Sequence, residues 1–223
     1  MKNIIVTIDG PAGAGKTTVS RTLADRLGYR YIDTGALYRA VALAVNRNQV
    51  HATDDAALGK ICRGLELQYV KTENGLRLLS NGEDVTDKLR TPELTMLASA
   101  VSARSVVRRY LLDVQRAMGR QGGAVVEGRD MGTVVFPNAE VKFYLDASEK
   151  IRARRRFLEL QSKSGLSLEE VERDLRKRDT NDSSRAEAPL RPAEDAIRID
   201  SSDMKIEDVV AAMLDHVSRM TGI

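Results

Sequence analysis

Residues 4 to 18, IIVTIDGPAGAGKTT, constrain the fold of this chain more than any other stretch. Gly10, Gly15, Lys16 and Thr17 fit the phosphate-binding pattern G-x-x-x-x-G-K-[ST], and the apolar run Ile4, Ile5, Val6, Ile8 just before it reads as a buried strand. A strand, a glycine-rich turn and a helix in that order make an anion cradle. The glycines let backbone N–H groups turn inward, the helix that starts near Gly15 adds its positive end, and Lys16 can reach the outer phosphates of a nucleoside triphosphate.

The rest of the chain suits such a loop. With 223 residues and 42% hydrophobic content it can bury one sizeable core with small insertions. Thirty-five basic residues, most of them Arg, stand against 32 acidic ones, a balance too even to argue for nucleic acid but suited to a polyanionic small substrate. A lone cysteine, Cys62, excludes an internal disulfide and falls in an apolar helical pattern. His51 and His216 lie in no ligand-spaced cluster, which speaks against zinc. No run approaches the roughly 20 apolar residues of a membrane span, and no signal peptide is visible, so a cytoplasmic protein is expected. With no apolar stripe left over, a monomer is expected too.

In chain order, residues 16–27 read as a helix closed by Gly28, YRYID as a strand ending at Asp33, and Thr34 as the N-cap of a helix carrying Tyr38 and Arg39. From about residue 60 to 100 the pattern turns to β-hairpins, with turns at Asn74-Gly75 and Asn81-Gly82. Residues 92–121 read as a return to helix, with SVVRRYLLDVQRAM strongly amphipathic and the glycines of RQGG ending it. AVVE is a buried strand stopping at Glu127, and AEVKFYLDA another ending at Asp146. Two helices follow over 148–180, joined at KSGLS, with Ser167 and Glu170 as a capping box. RDTNDSSRAEAPLRP reads as a loop, DAIRID as a last strand and IEDVVAAMLDHVSRM as a closing helix. This alternation predicts a parallel sheet covered on both faces.

Three groups of residues can serve a bound triphosphate. Glu127, at a strand end, can hold Mg²⁺ directly or through water opposite the Thr17 hydroxyl. Arg39, Arg129, Arg178 and Arg185 stand at positions read as loops. A cluster from Arg152 to Arg156 is either a further phosphate grip or a solvated helix face.

Four segments, IDGPAGAGKTT, DTGALYRA, EGRDMGTVVFP and KRDTNDSSRAEAPL, in this order and spacing, resemble the bacterial cytidylate kinases over essentially the whole chain. The resemblance implies an α/β fold, a three-layer parallel-sheet P-loop core (about 1–33, 104–150 and 186–223) with a small mixed monophosphate-binding region (34–103) and a helical lid (151–185). It implies transfer of the γ-phosphate of ATP to CMP or dCMP with Mg²⁺. ATP would lie on Gly10, Pro11, Ala12, Gly13, Ala14, Gly15, Lys16, Thr17 and Thr18, with Arg154. CMP would be held by Thr34, Tyr38, Arg39, Ser99, Arg108, Arg129, Asp130, Arg178, Asp182 and Arg185. Of these, Arg39 and Arg129 would grip its phosphate, and Ser99, Arg108 and Asp130 would read the cytosine edge. Lys16, Arg39, Arg129, Arg178 and Arg185 would carry catalysis. Thr34 stands where serine is frequent in that family, Glu127 where aspartate is frequent, and Thr17 where related kinases often have glycine.

Two other readings stay open on the residues alone. A P-loop kinase for another small acceptor, such as UMP, differs only at the cytosine-reading set. A nucleotide switch would want a guanine-reading N-K-x-D motif, which is absent, and an RNA binder using RARRRF would want more aromatic residues than 4%.

Overall fold

The apolar run ahead of the phosphate loop forms β1 (Ile5–Asp9) in the computed structural model, which describes residues 3–73, 75–160 and 165–222. The chain then runs through α1 (Lys16–Leu27), β2 (Arg30–Asp33), α2 (Thr34–Arg47), α3 (Asp55–Arg63), β3 (Leu67–Thr72), β4 (Gly75–Ser80), β5 (Glu83–Asp84), α4 (Pro92–Ser102) and α5 (Ser105–Gly119). It continues through β6 (Ala124–Gly128), a π-helical turn at Met131–Val135, β7 (Val141–Asp146), α6 (Glu149–Leu160), α7 (Leu168–Ser184), β8 (Ile197–Asp200) and α8 (Ile206–Thr221). These elements divide into two compact units, residues 1–33 with 118–223, and residues 34–117.

The first unit holds a five-stranded parallel sheet in the order β2-β6-β1-β7-β8. β1 lies in the middle with both faces covered: Ile4, Val6 and Ile8 are buried on one face, and the polar Thr7 and Asp9 are buried on the other. On one face they join Val125, Val141, Phe143 and Leu145 in a core closed by Val19, Leu23 and Leu27 of α1 and Val209, Met213 and Val217 of α8. Each fully buried Leu, Ile or Phe there contributes about 1.5–3 kcal/mol. The π-helical turn packs on the other face, where a Cβ on Gly132 would sit 3.1 Å from the Thr7 hydroxyl oxygen and 3.2 Å from Lys142 Cδ. β1, β2, β7 and β8 each end on an aspartate, and β6 carries Glu127 one residue before its end, so carboxylates gather along the carboxyl edge of the sheet.

The second unit packs α2 against α4 and carries the antiparallel sheet β3-β4-β5. The Asn81-Gly82 turn forms as expected, with φ of 49° and 80° at its two central residues, as a type I′ hairpin requires. The other expected turn falls partly on Asn74, which lies outside the described residues, as do Lys163 and Ser164 of the KSGLS junction.

The structure departs from the sequence reading at four places. α2 begins at Thr34 itself rather than after it. The stretch 92–121 is two helices, broken at Ala103 and Arg104, where the Arg104 guanidinium reaches Asp55 on α3 at 2.6 Å instead of continuing the helix face. Helix α7 runs on through Ser184, taking in residues 178–184 that read as a loop. That polar segment stays helical because Asp179 and Asp182, three residues apart on one face, each bind a guanidinium from elsewhere in the fold. The fourth is the π-helical turn after β6.

This turn has a specific cause in β1. Asp9 is 3% exposed, and its two carboxylate oxygens accept the Met131 N–H at 2.9 Å and the Gly132 N–H at 2.8 Å. A carboxylate spanning two consecutive amides bends the backbone after β6 toward β1. Burial raises the Asp9 pKa to about 6; the two amides and Lys16 oppose the rise, and Asp130 adds to it. A carboxyl whose folded pKa is raised contributes stability that is full below about pH 4 and lost as the pH climbs through about 6. Asp9→Asn has no such proton, so urea unfolding should find the variant gaining stability relative to wild type between pH 4 and pH 7. A difference flat over that range would contradict the burial assigned to Asp9.

Candidate active site

The phosphate loop is shaped from outside as much as from within. Gly10 has φ 149°, and a Cβ there would stand 2.0 Å from the Leu145 carbonyl oxygen; Gly13 has φ 78°, and a Cβ there would stand 2.8 Å from the Arg152 carbonyl oxygen. No side chain fits at either place. Three loop carbonyls are held by side chains: Pro11 by Lys16 Nζ at 2.6 Å, Ala12 by the Arg152 guanidinium at 3.0 Å, and Ala14 by the Ser201 hydroxyl at 3.4 Å. Pro11, Ala12, Ala14 and Lys16 are buried, Thr17 is half-buried and Thr18 exposed. Gly15 is the left-handed N-cap of α1. Arg154 is exposed on α6.

Lys16 is the electrostatic centre of this unit. Burial first, then the neighbouring Arg129 and Arg178 cations, push its ammonium down to about 7, while Glu127 and Asp9 pull the other way. A cation whose charge is held back by other cations is a site short of negative charge.

Glu127 faces Lys16 from β6. It is 3% exposed, and one of its oxygens accepts the Thr17 hydroxyl at 2.8 Å and the Tyr31 hydroxyl at 2.6 Å. Burial and the Asp33 carboxylate beside it raise its pKa, against Lys16 and the two hydroxyls. The pairing register explains Asp33: it stands opposite Glu127 across β2 and β6. The donors here are hard oxygens, with no imidazole or thiolate, and among the described residues no group of three metal-binding side chains gathers. That set fits Mg²⁺, which takes one or two protein oxygens and completes its shell with water and phosphate.

Arg129 follows β6 in the turn toward Asp130, which is 2% exposed. Arg129 Nε donates to Asp182 of α7 at 2.8 Å, both side chains being largely buried. Burial works against the charge on Arg129, and Asp182, ahead of Asp179 and Glu127, more than offsets it. Burial likewise works against Asp182, and Arg129, Arg178 and Arg185 overcome it to hold the carboxyl below its usual range. Arg185 closes α7, with its guanidinium 3.9 Å from Asp182 and its Nε donating to the Ala188 carbonyl at 3.0 Å. Arg178, read as a loop residue, is in α7, and Arg39 is in α2, on the helix read after Asp33. Of the cluster on α6, Arg152 is buried, Arg155 binds Ser201, the half-buried Arg156 pairs with Glu159 of the same helix, and Arg154 is exposed.

The second unit brings together another part of the expected set. Thr34 is buried, and Tyr38 and Arg39 are half-buried, on the first two turns of α2. The Arg108 guanidinium lies 5.9 Å from the centre of the Tyr38 ring and donates to the Ser102 carbonyl at 3.3 Å. Ser102 in turn donates to the Ser99 carbonyl at 2.8 Å, while the buried Ser99 hydroxyl has no hydrogen-bond partner among the described residues. A buried hydroxyl beside a guanidinium and an aromatic face is unusual unless something polar completes it.

Four contributors were not singled out from the sequence: Asp9, Tyr31, Asp33 and Asp179. The first and third end β1 and β2, at the edge where ligands gather in a parallel sheet, a position readable from the strand pattern. Tyr31 and Asp179 carried no such signal, because their partners lie 96 and 27 residues away.

The sequence model of the family described as cytidylate kinase matches residues 6–219. A cytidylate kinase of Geobacter sulfurreducens is 52% identical over 213 residues, covering 95% of this chain and 91% of that protein. One of Pasteurella multocida is 42% identical over 222 residues, covering 99% and 97%. Among solved structures, a gluconokinase from Sinorhizobium meliloti shares the fold with a TM-score of 0.50 at 13% identity, covering 98% of this chain and 93% of that one. Among the described residues no helix is long and apolar enough to cross a membrane. The parallel sheet, the glycine-shaped loop with its buried lysine, and this match along nearly the whole chain together show that the protein belongs to the cytidylate kinase family and is a P-loop nucleoside monophosphate kinase.

Proposed function

We propose that this enzyme transfers the γ-phosphate of Mg-ATP to CMP and dCMP, giving ADP with CDP or dCDP. The observation that carries the donor half is the shape of the loop: Gly10 and Gly13 leave no room for a Cβ, its carbonyls are held by Lys16, Arg152 and Ser201, and the Arg129 and Arg178 cations stand near the buried Lys16, an arrangement that a polyphosphate completes. The acceptor half draws on the names of the relatives and on Ser99, Arg108 and Tyr38. Cytosine offers an amine donor beside two acceptors, which a hydroxyl, a guanidinium and the Asp130 carboxylate can match.

The acceptor in this reaction is a phosphate oxygen, ionised at neutral pH because the second pKa of a phosphate monoester is about 6. No general base is needed, so positioning and charge neutralisation carry the catalysis. The loop amides and Lys16 hold the donor phosphates. Arg39 and Arg129 grip the acceptor phosphate, and Arg178 and Arg185 stabilise charge on the group in transfer, with Asp182 orienting Arg129 and meeting the sugar. Thr17 and Glu127 would hold Mg²⁺, directly or through water, and the ion supplies further neutralisation of the donor phosphates. Residues 151–185 act as a lid that excludes water, which would otherwise accept the phosphoryl group. The enzyme works as a cytosolic monomer on free nucleotides and on neither nucleic acid nor membrane.

The decisive assay follows ADP release from Mg-ATP with CMP, dCMP, UMP, AMP, GMP or shikimate as acceptor. Acceleration by CMP and dCMP, lost without magnesium, is expected. Full activity with UMP and little with CMP would transfer the assignment to another monophosphate, and no acceleration by any acceptor would end the kinase reading. Arg129→Ala should lower turnover by about 10²–10³, the effect of removing one charge-stabilising donor, while far-ultraviolet circular dichroism stays that of wild type. Near-normal turnover would remove Arg129 from the mechanism.

A further inference from the structure

Arg152 stands on the first turn of α6 and is 8% exposed, although it belongs to a run of arginines that a helix surface would ordinarily solvate. Its guanidinium makes three hydrogen bonds on three different segments, and the half-exposed Asp146 carboxylate stands 3.9 Å from its Nε. Nε donates to the Ala147 carbonyl at 2.9 Å, where β7 passes into α6. Nη1 donates to the Ala12 carbonyl of the phosphate loop at 3.0 Å and to Oδ2 of Asp179 on α7 at 2.5 Å. The other Asp179 oxygen is buried with no hydrogen-bond partner among the described residues. One planar cation thus bridges a loop carbonyl and a helix carboxylate through a single nitrogen.

Apolar packing joins the same three segments. The Ala12 methyl lies in a small core with Ala153 and Leu160 of α6 and Val171 and Leu175 of α7. Gly13 approaches α6 so closely that an added Cβ would stand 3.0 Å from Arg152 Cβ. The loop therefore rests on the α6–α7 hairpin through a methyl, a glycine contact and a hydrogen-bonded carbonyl.

We propose that Arg152 and Asp179 are positioning residues: their ion pair ties the shape of the phosphate loop to helix α7, so that affinity for the donor nucleotide depends on a carboxylate that has no attraction of its own for a polyphosphate. The Ala12 carbonyl faces the guanidinium, which leaves the loop amides free for phosphate. Asp179 fixes that guanidinium. Without that carboxylate, Arg152 keeps only the more distant and half-exposed Asp146 as a counter-charge, and is drawn toward it, toward solvent or toward phosphate, releasing Ala12. Because α7 also carries Arg178, Asp182 and Arg185, the pair links the donor loop to the helix that serves the acceptor.

This inference rests on the reading of the loop as an ATP site, and direct binding separates the two. Dissociation constants for ATP and for CMP are measured by calorimetry on wild type, Asp179→Asn, Arg152→Lys and the double variant, each checked for an intact thermal transition. Asp179→Asn is nearly isosteric, and Arg152→Lys keeps the charge while losing the fork, so either suffices if the other fails to fold. Each single change should weaken ATP about tenfold, the scale of one charge-assisted hydrogen bond, with CMP changed less than about twofold and the double variant no weaker than the weaker single. ATP affinity unaltered in Asp179→Asn overturns the pair, as do effects that multiply in the double variant, or equal losses for ATP and CMP. If wild-type protein does not bind ATP, the donor reading itself falls and the pair falls with it.

Discussion

A loop that turns its amides toward an anion must turn its carbonyls somewhere else, and buried carbonyls need donors. In this protein the donors are Lys16 for Pro11, Arg152 for Ala12 and Ser201 for Ala14. They come from the helix after the loop, from α6 and from the segment after β8. Much of the first unit is arranged to deliver them: β7 brings Leu145 against Gly10, α6 brings Arg152 against Gly13, and the end of β8 brings Ser201 beneath Ala14. The anion site is thus the visible side of a set of contacts whose other side is buried protein.

Charge is treated in the same way. Lys16, Glu127, Arg129 and Asp182 are all buried or nearly so, a costly arrangement unless each has an opposite charge within reach. Arg129 and Asp182 satisfy one another. Lys16 and Glu127 do so incompletely, the lysine depressed and the carboxyl raised. A site poised in this manner gains from a ligand that brings its own negative charge.

Much of this was legible in the sequence, and the reason is local. β1, the loop and α1 are contiguous and declare themselves by apolar run, glycine spacing and helical period. The capping box Ser167/Glu170 and the Asn81-Gly82 turn are equally local, and both formed as read. What the sequence did not disclose depends on partners far along the chain. The helicity of residues 178–184 comes from Arg129 and Arg152, which no propensity contains. The π-helical turn at Met131 comes from Asp9, 122 residues earlier. Arg152 reads equally as a phosphate grip or as one more arginine on a solvated face, because its partners Ala12 and Asp179 lie 140 and 27 residues away.

The loop carbonyls also set a schedule. β1 and the phosphate loop leave the ribosome before the donors that shape them: Arg152 follows Ala12 by 140 residues and Ser201 follows Ala14 by 187. At a translation rate of about 5–20 residues per second, the nascent loop waits roughly 10–40 s for its last donor. Through that interval the most recognisable stretch of the chain has its sequence but not its shape. The loop therefore acquires its full set of carbonyl donors only once the chain has been made through β8 and Ser201.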